Sequence, residues 1–218
     1  DKRVTRTKLR PIASGKLSIK RSFFYILGLC GLAFLILIQF NLLTISLGVG
    51  SMFLAFSYPF MKRITYWPQL FLGLTFSWGL IMGWASIMNY ISLDIIILYI
   101  AAIFWTLGYD TIYGVQDIAD DEIIGIKSTS IKFKSNIKLF VSLCYLLSTI
   151  LIMFFLFRTM QSIYFLIIYL LFVFSLIYQI KIFDIKNSKN CLHAFKVNNL
   201  SGLILFVAII LETSTQNI

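Results

Sequence analysis

Charge is what this sequence has least of. Asp, Glu, Lys and Arg together make up 13% of its 218 residues, about half the share in an ordinary soluble domain, and a water-facing globule with a charged surface is excluded. Histidine occurs once, at His193, so a multi-histidine metal centre or a Ser-His-Asp triad has almost nothing to be built from. The three cysteines, Cys30, Cys144 and Cys191, show no paired spacing that suggests zinc or a disulfide framework. Cys30 and Cys144 fall in apolar stretches, Cys191 in a loop, and packing is the expected role of all three; His193 is read as a loop residue. The three prolines and twelve glycines are scattered, which excludes extended disorder. What fills the chain instead is 59% hydrophobic residue, with a mean hydropathy of +0.89.

Seven apolar stretches are long enough, at about 1.5 Å per residue, to cross a hydrocarbon core of roughly 30 Å. They span about 22–40, 42–61, 68–88, 93–113, 139–157, 159–180 and 195–213. Their continuous rather than alternating hydrophobicity calls for helices, because lipid offers backbone groups no partner. The expected fold is an all-α polytopic transmembrane bundle, a single domain over 1–218. Of the 19 Lys and Arg residues, eight lie in 1–21, two at Lys62 and Arg63, four in 127–138 and four in 181–196, leaving Arg158 alone on the opposite side. That asymmetry places the basic side in the cytoplasm or its organellar equivalent and makes the net charge of +10 a signal of topology in a lipid bilayer, with no nucleic-acid partner. Glu212 and the C-terminus fall on the outer face. Since the chain opens at Asp1 and a basic segment, without the pattern of a signal peptide, it is expected to be N-terminally incomplete.

A charge in a bilayer is expensive, so the ionisable residues locate function. The central turns of all seven stretches carry none, and a proton or ion path through the midplane has little support. Five of the nine acids gather in Tyr109-Asp110-Thr111-Ile112-Tyr113-Gly114-Val115-Gln116-Asp117-Ile118-Ala119-Asp120-Asp121-Glu122, where a membrane helix runs out into a loop. Asp117 and Asp121 are four apart and, if the helix continues, share a face, where two carboxylates repel unless a cation sits between them. Mg²⁺ suits such a pair, since it keeps several waters and bridges one or two carboxylates to substrate phosphates. Asp110 lies one or two turns deeper, in a position for a supporting or proton-accepting role. The competing reading is a solvated acidic loop balancing nearby lysines. Lys127, just beyond, is placed to meet phosphate oxygens or lipid head groups.

Two further clusters are basic. In the N-terminal run, Arg6 and Arg10 would be neighbours on a helical turn and suit phosphate or carboxylate recognition, against the alternative of a juxtamembrane anchor; Pro11 to Gly15 suggests a shaped loop. Tyr58-Pro59-Phe60-Met61-Lys62-Arg63 puts a phenol and two cations at the inner end of a helix, where an aromatic belt and positive-inside charge alone would also explain them.

Arg6-Thr7 with Arg10-Pro11 and Ser14-Gly15, the spacing of Tyr58 and Lys62, Pro68-Gln69, the Tyr109 to Glu122 block and Gly125-Ile126-Lys127-Ser128, in this order, resemble the UbiA superfamily of intramembrane aromatic prenyltransferases over essentially the whole chain. Within it the wording most resembles members that act on 4-hydroxybenzoate. The resemblance implies a nine-helix bundle around a cavity open to the bilayer, with two aspartate-rich motifs at its cytoplasmic rim. The first motif would end at Asp1, so two helices and half of the metal site are expected to be absent. It further implies Mg²⁺ held by Asp1, Asp117 and Asp121 on a polyprenyl diphosphate, with Arg6, Arg10, Lys62 and Lys127 around the diphosphate oxygens. Tyr58, Asp110 and Asp120 are the implied catalytic residues, a carboxylate of Asp110 or Asp120 removing the ring proton. The implied reaction moves the prenyl chain to the ring carbon beside the hydroxyl of 4-hydroxybenzoate in ubiquinone biosynthesis. Haem, menaquinone or tocopherol-type acceptors stay open within the family, and a transporter or a non-catalytic lipid- or metabolite-binding remnant outside it. A bacterial inner membrane is the expected location, with the mitochondrial inner membrane as the alternative.

Overall fold

The computed structural model describes residues 7–157 and 162–216, with the side chains of 157 and 212–216 outside that description. Asp1, Arg6 and Arg158, and the side chain of Glu212, therefore lie outside the described residues. The elements are α1 (Ile19–Leu37), α2 (Leu42–Ile64), α3 (Pro68–Phe76), α4 (Trp78–Met88), α5 (Leu93–Gly114), a 3₁₀ turn (Val115–Asp117), α6 (Ile118–Ile124), α7 (Thr129–Lys132), α8 (Ile137–Phe157), α9 (Ile163–Ile182) and α10 (Ser188–Gln216), with no strand among the described residues. Taken with α3 and α4 as one span, seven helical segments are long and apolar enough to cross a membrane. Ser18, Asn41, Ser92 and Ser162 each open a helix by accepting, through the side chain, a backbone N–H of the first turn.

The expected boundaries shift where capping overrules hydropathy. α1 begins at Ile19 rather than 22, because Ser18 caps it. α10 begins seven residues before the apolar run, since Asn187 Oδ1 accepts the N–H groups of Lys189 (3.1 Å) and Asn190 (3.3 Å). Cys191 and His193 consequently stand on a helix and not in a loop: Cys191 is buried, its Sγ donating to the Asp184 carbonyl, and His193 is exposed. Cys30, expected to pack, is exposed on the outside of the bundle. The third stretch is divided at Ser77, where bonding tightens to Leu80 N–H donating to Ser77 O, a 3₁₀ step inside the span.

α5 is the central helix, packed on α3, α4, α8 and α10, while α9 packs mainly on α10. Lipid tails are as apolar as leucine, so close approach and buried polar bonds replace the hydrophobic drive between helices. α5 meets α8 at Gly108, where a Cβ would stand 2.4 Å from the Tyr145 ring. Tyr145 Oη in turn donates to Gln179 Oε1 (2.7 Å), and Gln179 Nε2 to Ser201 Oγ (2.9 Å), tying α8, α9 and α10 together inside the protein. By contrast α1 buries only Ser22, as a helix surrounded by lipid does.

Candidate functional site

The acidic block sits where α5 ends. The helix does not continue through it: Val115–Asp117 tightens into the 3₁₀ turn before α6 resumes for two turns. α6 stops at Gly125, whose φ of +72° permits the reverse turn in which Ile126 N–H donates to Asp121 O (2.9 Å). This junction sorts the acids. Asp117 and Asp121 are buried, at 8% and 6% exposure, Asp120 is half-buried, and Glu122 is exposed and paired with Lys134 Nζ at 2.8 Å. A fully solvated acidic loop would expose all four, so burial of the two that are four residues apart favours a built site.

The junction is held in place by a buried polar latch. Thr129 N–H donates to Gln69 Oε1 (3.0 Å), the Thr111 and Thr129 hydroxyls share a bond of 2.7 Å, and Ser130 Oγ donates to Thr111 O (2.7 Å). Ser128, Thr129, Ser130 and Thr111 are essentially inaccessible. Gly114 closes the latch, since a Cβ there would lie 2.6 Å from Ser130 Oγ. The N-terminus of α3, the end of α5 and the start of α7 are thereby fixed together beside Asp117.

The basic residues arrive from α2. Lys62, in its last turn, is half-buried, and its carbonyl accepts Lys127 N–H at 2.8 Å. Lys127 Nζ donates to Ile64 O (3.2 Å) and lies 5.5 Å from the Tyr66 ring centre, closing the free carbonyl end of α2. Asp110 has Lys62 and Asp117 as its charged neighbours, and Tyr58 has Asp110. Tyr58, Lys62, Lys127, Asp110, Asp117, Asp120 and Asp121 thus belong to one end of the bundle. Arg10 is exposed in a run of tight turns over 7–16, which closes at Gly15 with φ +79°.

Beside Asp110, Tyr109 enters the wall of a cavity of about 550 Å³ between α3, α4, α5 and α10. Ser77 at the helix break, Trp105, Thr106, Asn198 and Asn199 also line it. Trp105, Tyr109 and Tyr113, one turn apart on α5, make an aromatic stripe that meets Phe195 of α10 at its upper end. Gln69, Thr111 and Ser128 were quoted from sequence only as parts of motifs; their joining with Thr129 and Ser130 in a latch, and the two asparagines, were not foreseen. Their signal was present as amides and hydroxyls inside or next to apolar runs, but a search for ionisable groups passes over them.

A bundle of membrane-crossing helices with carboxylates and lysines at one end of its central helix, next to a cavity that Trp105 and Tyr109 help to line, defines the class. The profile of the UbiA prenyltransferase family matches residues 1–203, and the chain belongs to that family. Bovine "4-hydroxybenzoate polyprenyltransferase, mitochondrial" is 40% identical over 217 residues, covering 97% of this chain and 57% of the bovine protein. The Caenorhabditis elegans protein of the same name is 37% identical over 219 residues, covering all of this chain and 62% of that one. The chain therefore spans about three fifths of the length of these relatives. Among solved structures, a UbiA homolog from Aeropyrum pernix K1 superposes with a TM-score of 0.81 at 20% identity, over 96% of this chain and 78% of that one. A digeranylgeranylglyceryl phosphate synthase superposes with a TM-score of 0.67 at 18% identity, over 95% and 75%. Both likenesses carry the fold.

Proposed function

We propose that the protein of which this chain is part transfers a polyprenyl group from polyprenyl diphosphate to 4-hydroxybenzoate, at the ring carbon beside the hydroxyl, in ubiquinone biosynthesis. The observation that carries the reading is the buried pair Asp117 and Asp121 beside Lys62 and Lys127, at the end of the helix that lines the cavity. The names of the 37% and 40% identical relatives supply the substrates. Among the described residues no three acids, cysteines or histidines converge on one point. A pair of hard carboxylates fits Mg²⁺, which completes its shell with water and phosphate oxygens, and Asp1 would add a ligand from the preceding motif. Bound there, Mg²⁺ supplies positive charge to the diphosphate as it departs.

The chain's own groups do the rest. Lys62 and Lys127, with Arg6 and Arg10 from the N-terminal run, hold the diphosphate oxygens as the allylic C–O bond breaks and its electron pair leaves with the diphosphate. The face of Tyr109, the cavity's aromatic residue nearest Asp110 in the chain, stabilises the allylic cation. The ring of the acceptor forms the new C–C bond, and Asp110 or Asp120 takes the displaced ring proton, with Tyr58 beside Asp110. The location we propose is an inner membrane with the site on its cytoplasmic or matrix side; the word "mitochondrial" in the relatives' names favours the mitochondrial alternative over a bacterial membrane.

The test is prenylation of radiolabelled 4-hydroxybenzoate in membranes holding the protein extended by the segment its relatives carry. Lipid-soluble product should form with Mg²⁺, vanish with a chelator, and fall by at least two orders of magnitude in Asp117→Ala and Asp121→Ala. Correctly inserted protein that prenylates no aromatic acceptor would return the acidic junction to a binding or transport role.

A further inference from the structure

Asn198 is a polar group clamped at one end and open at the other. The indole Nε1–H of Trp105 donates to Asn198 Oδ1 at 2.8 Å. Indole is a donor only, so the amide must turn its oxygen to Trp105, and the orientation of the carboxamide is decided by chemistry. Trp105 is itself held by an edge contact to the fully buried Phe172, with ring centres 5.1 Å apart at 78°. The remaining end, the Nδ2 amide, has no hydrogen-bond partner among the described residues, and Asn198 and Trp105 both line the cavity. The cavity wall therefore carries an unpartnered N–H donor beside Trp105, among the rings of Phe76 and Tyr109 and the small residues Gly79, Ala102 and Gly202.

Such a donor serves a ligand that brings an acceptor oxygen. An isoprenoid chain has none, and the diphosphate has its own place at Asp117 and Asp121, twelve residues or about 18 Å of helix rise beyond Trp105. The aromatic acceptor does bring one. Its reacting carbon adjoins the hydroxyl, so that edge of the ring turns up to the diphosphate and Asp110, and the carboxylate, on the opposite side of the ring, points down the cavity. We infer that Asn198 binds the carboxylate of the aromatic acid through Nδ2, with Trp105 as the positioning residue that aims it and Asn199 and Ser77 lining the same space. This rests on the transferase reading and adds to it the seat of the acceptor. A site built to hydrogen-bond a substrate group discriminates strongly against analogues that lack it.

The experiment uses the extended protein in lipid nanodiscs. Asn198→Asp keeps an oxygen for Trp105 but replaces the donor with a like charge; KM for 4-hydroxybenzoate should rise by about 30-fold or more, from the loss of a hydrogen bond to a charged group. KM for the diphosphate should stay within twofold, and the penalty should shrink to about 10-fold or less with methyl 4-hydroxybenzoate, which keeps an acceptor oxygen but has no charge. Trp105→Phe keeps an aromatic ring but removes the N–H and frees the amide to rotate, so the same KM should rise by about 3- to 10-fold, for the loss of one neutral bond, while KM for the diphosphate stays within twofold. Equal effects on both substrates, an effect on the diphosphate alone, or no effect at all would overturn the assignment. If the unaltered protein turns over no substrate, the transferase reading fails on its own, and quenching of tryptophan fluorescence by 4-hydroxybenzoate decides the site separately. Quenching by the free acid that Asn198→Asp weakens, with quenching by its methyl ester little changed by the same substitution, upholds it; absence of quenching, or equal weakening for acid and ester, ends it.

Discussion

Alanine at position 114 tests whether the latch holds the acidic junction. Gly114 has φ −66° and ψ −15°, an ordinary right-handed conformation, so nothing in its backbone demands glycine, and helix propensity alone would favour alanine by about 1 kcal/mol. The obstacle is space, since a Cβ there would stand 2.6 Å from Ser130 Oγ and 3.1 Å from Gln69 Nε2. Ser130 is fully buried and its hydroxyl donates to Thr111 O at 2.7 Å. Rotating that hydroxyl away forfeits a bond of about 1 kcal/mol, and overpacking a tight contact costs about 1–3 kcal/mol more. After the gain in propensity, Gly114→Ala should destabilise by about 1–3 kcal/mol, or roughly 2–12 °C in Tm for a chain of this size. Ser130→Ala alone should cost about 1 kcal/mol, and in the double variant the 2.6 Å contact is gone while that with Gln69 stays, so the two costs should fall short of adding by about 1 kcal/mol. Thermal unfolding in detergent, followed by tryptophan fluorescence for the four proteins of the cycle, measures this. A higher Tm for Gly114→Ala, or strictly additive costs, would refute the reasoning. Because Gly114 stands three residues before Asp117, prenyl transfer should fall as well.

Gln179→Leu removes the partner of Tyr145 Oη and one of the partners of Ser201 Oγ inside the bundle and should cost about 1–2 kcal/mol, read as a lower Tm; Tyr145→Phe added to it should cost little further. Gly125→Ala meets no atom within 4 Å but must adopt φ +72°, a strain of about 1–2 kcal/mol, and Gly125→Asn should be milder in the same melt. Glu122→Gln breaks an ion pair whose side chains are 43% and 51% exposed; exposed pairs are worth about 0–1 kcal/mol, so neither Tm nor prenylation should change measurably, in contrast with Asp117→Ala and Asp121→Ala.

What the sequence by itself determined follows from quantities local to a segment. Long uninterrupted apolar runs must be helices because lipid leaves no other way to satisfy the backbone, and serines and an asparagine just ahead of the runs supply the N-caps observed. The acidic block stood out because charge is rare in such a chain, and Asp117 and Asp121 are indeed the two acids that the junction buries. The tertiary structure alone decided the rest. Hydropathy does not weigh a side-chain cap, so the helical placement of Cys191 and His193 depended on Asn187. The latch joins Gln69 to Thr129 across 60 residues, and the clamp joins Trp105 to Asn198 across 93. Neutral amides and hydroxyls carry no charge to mark them in an apolar run, and their value comes only from the partner that the packing of α3, α5, α7 and α10 brings within 3 Å. A cavity, likewise, belongs to no segment: it is the space left when Ser77 breaks one helix and α5 and α10 close around it.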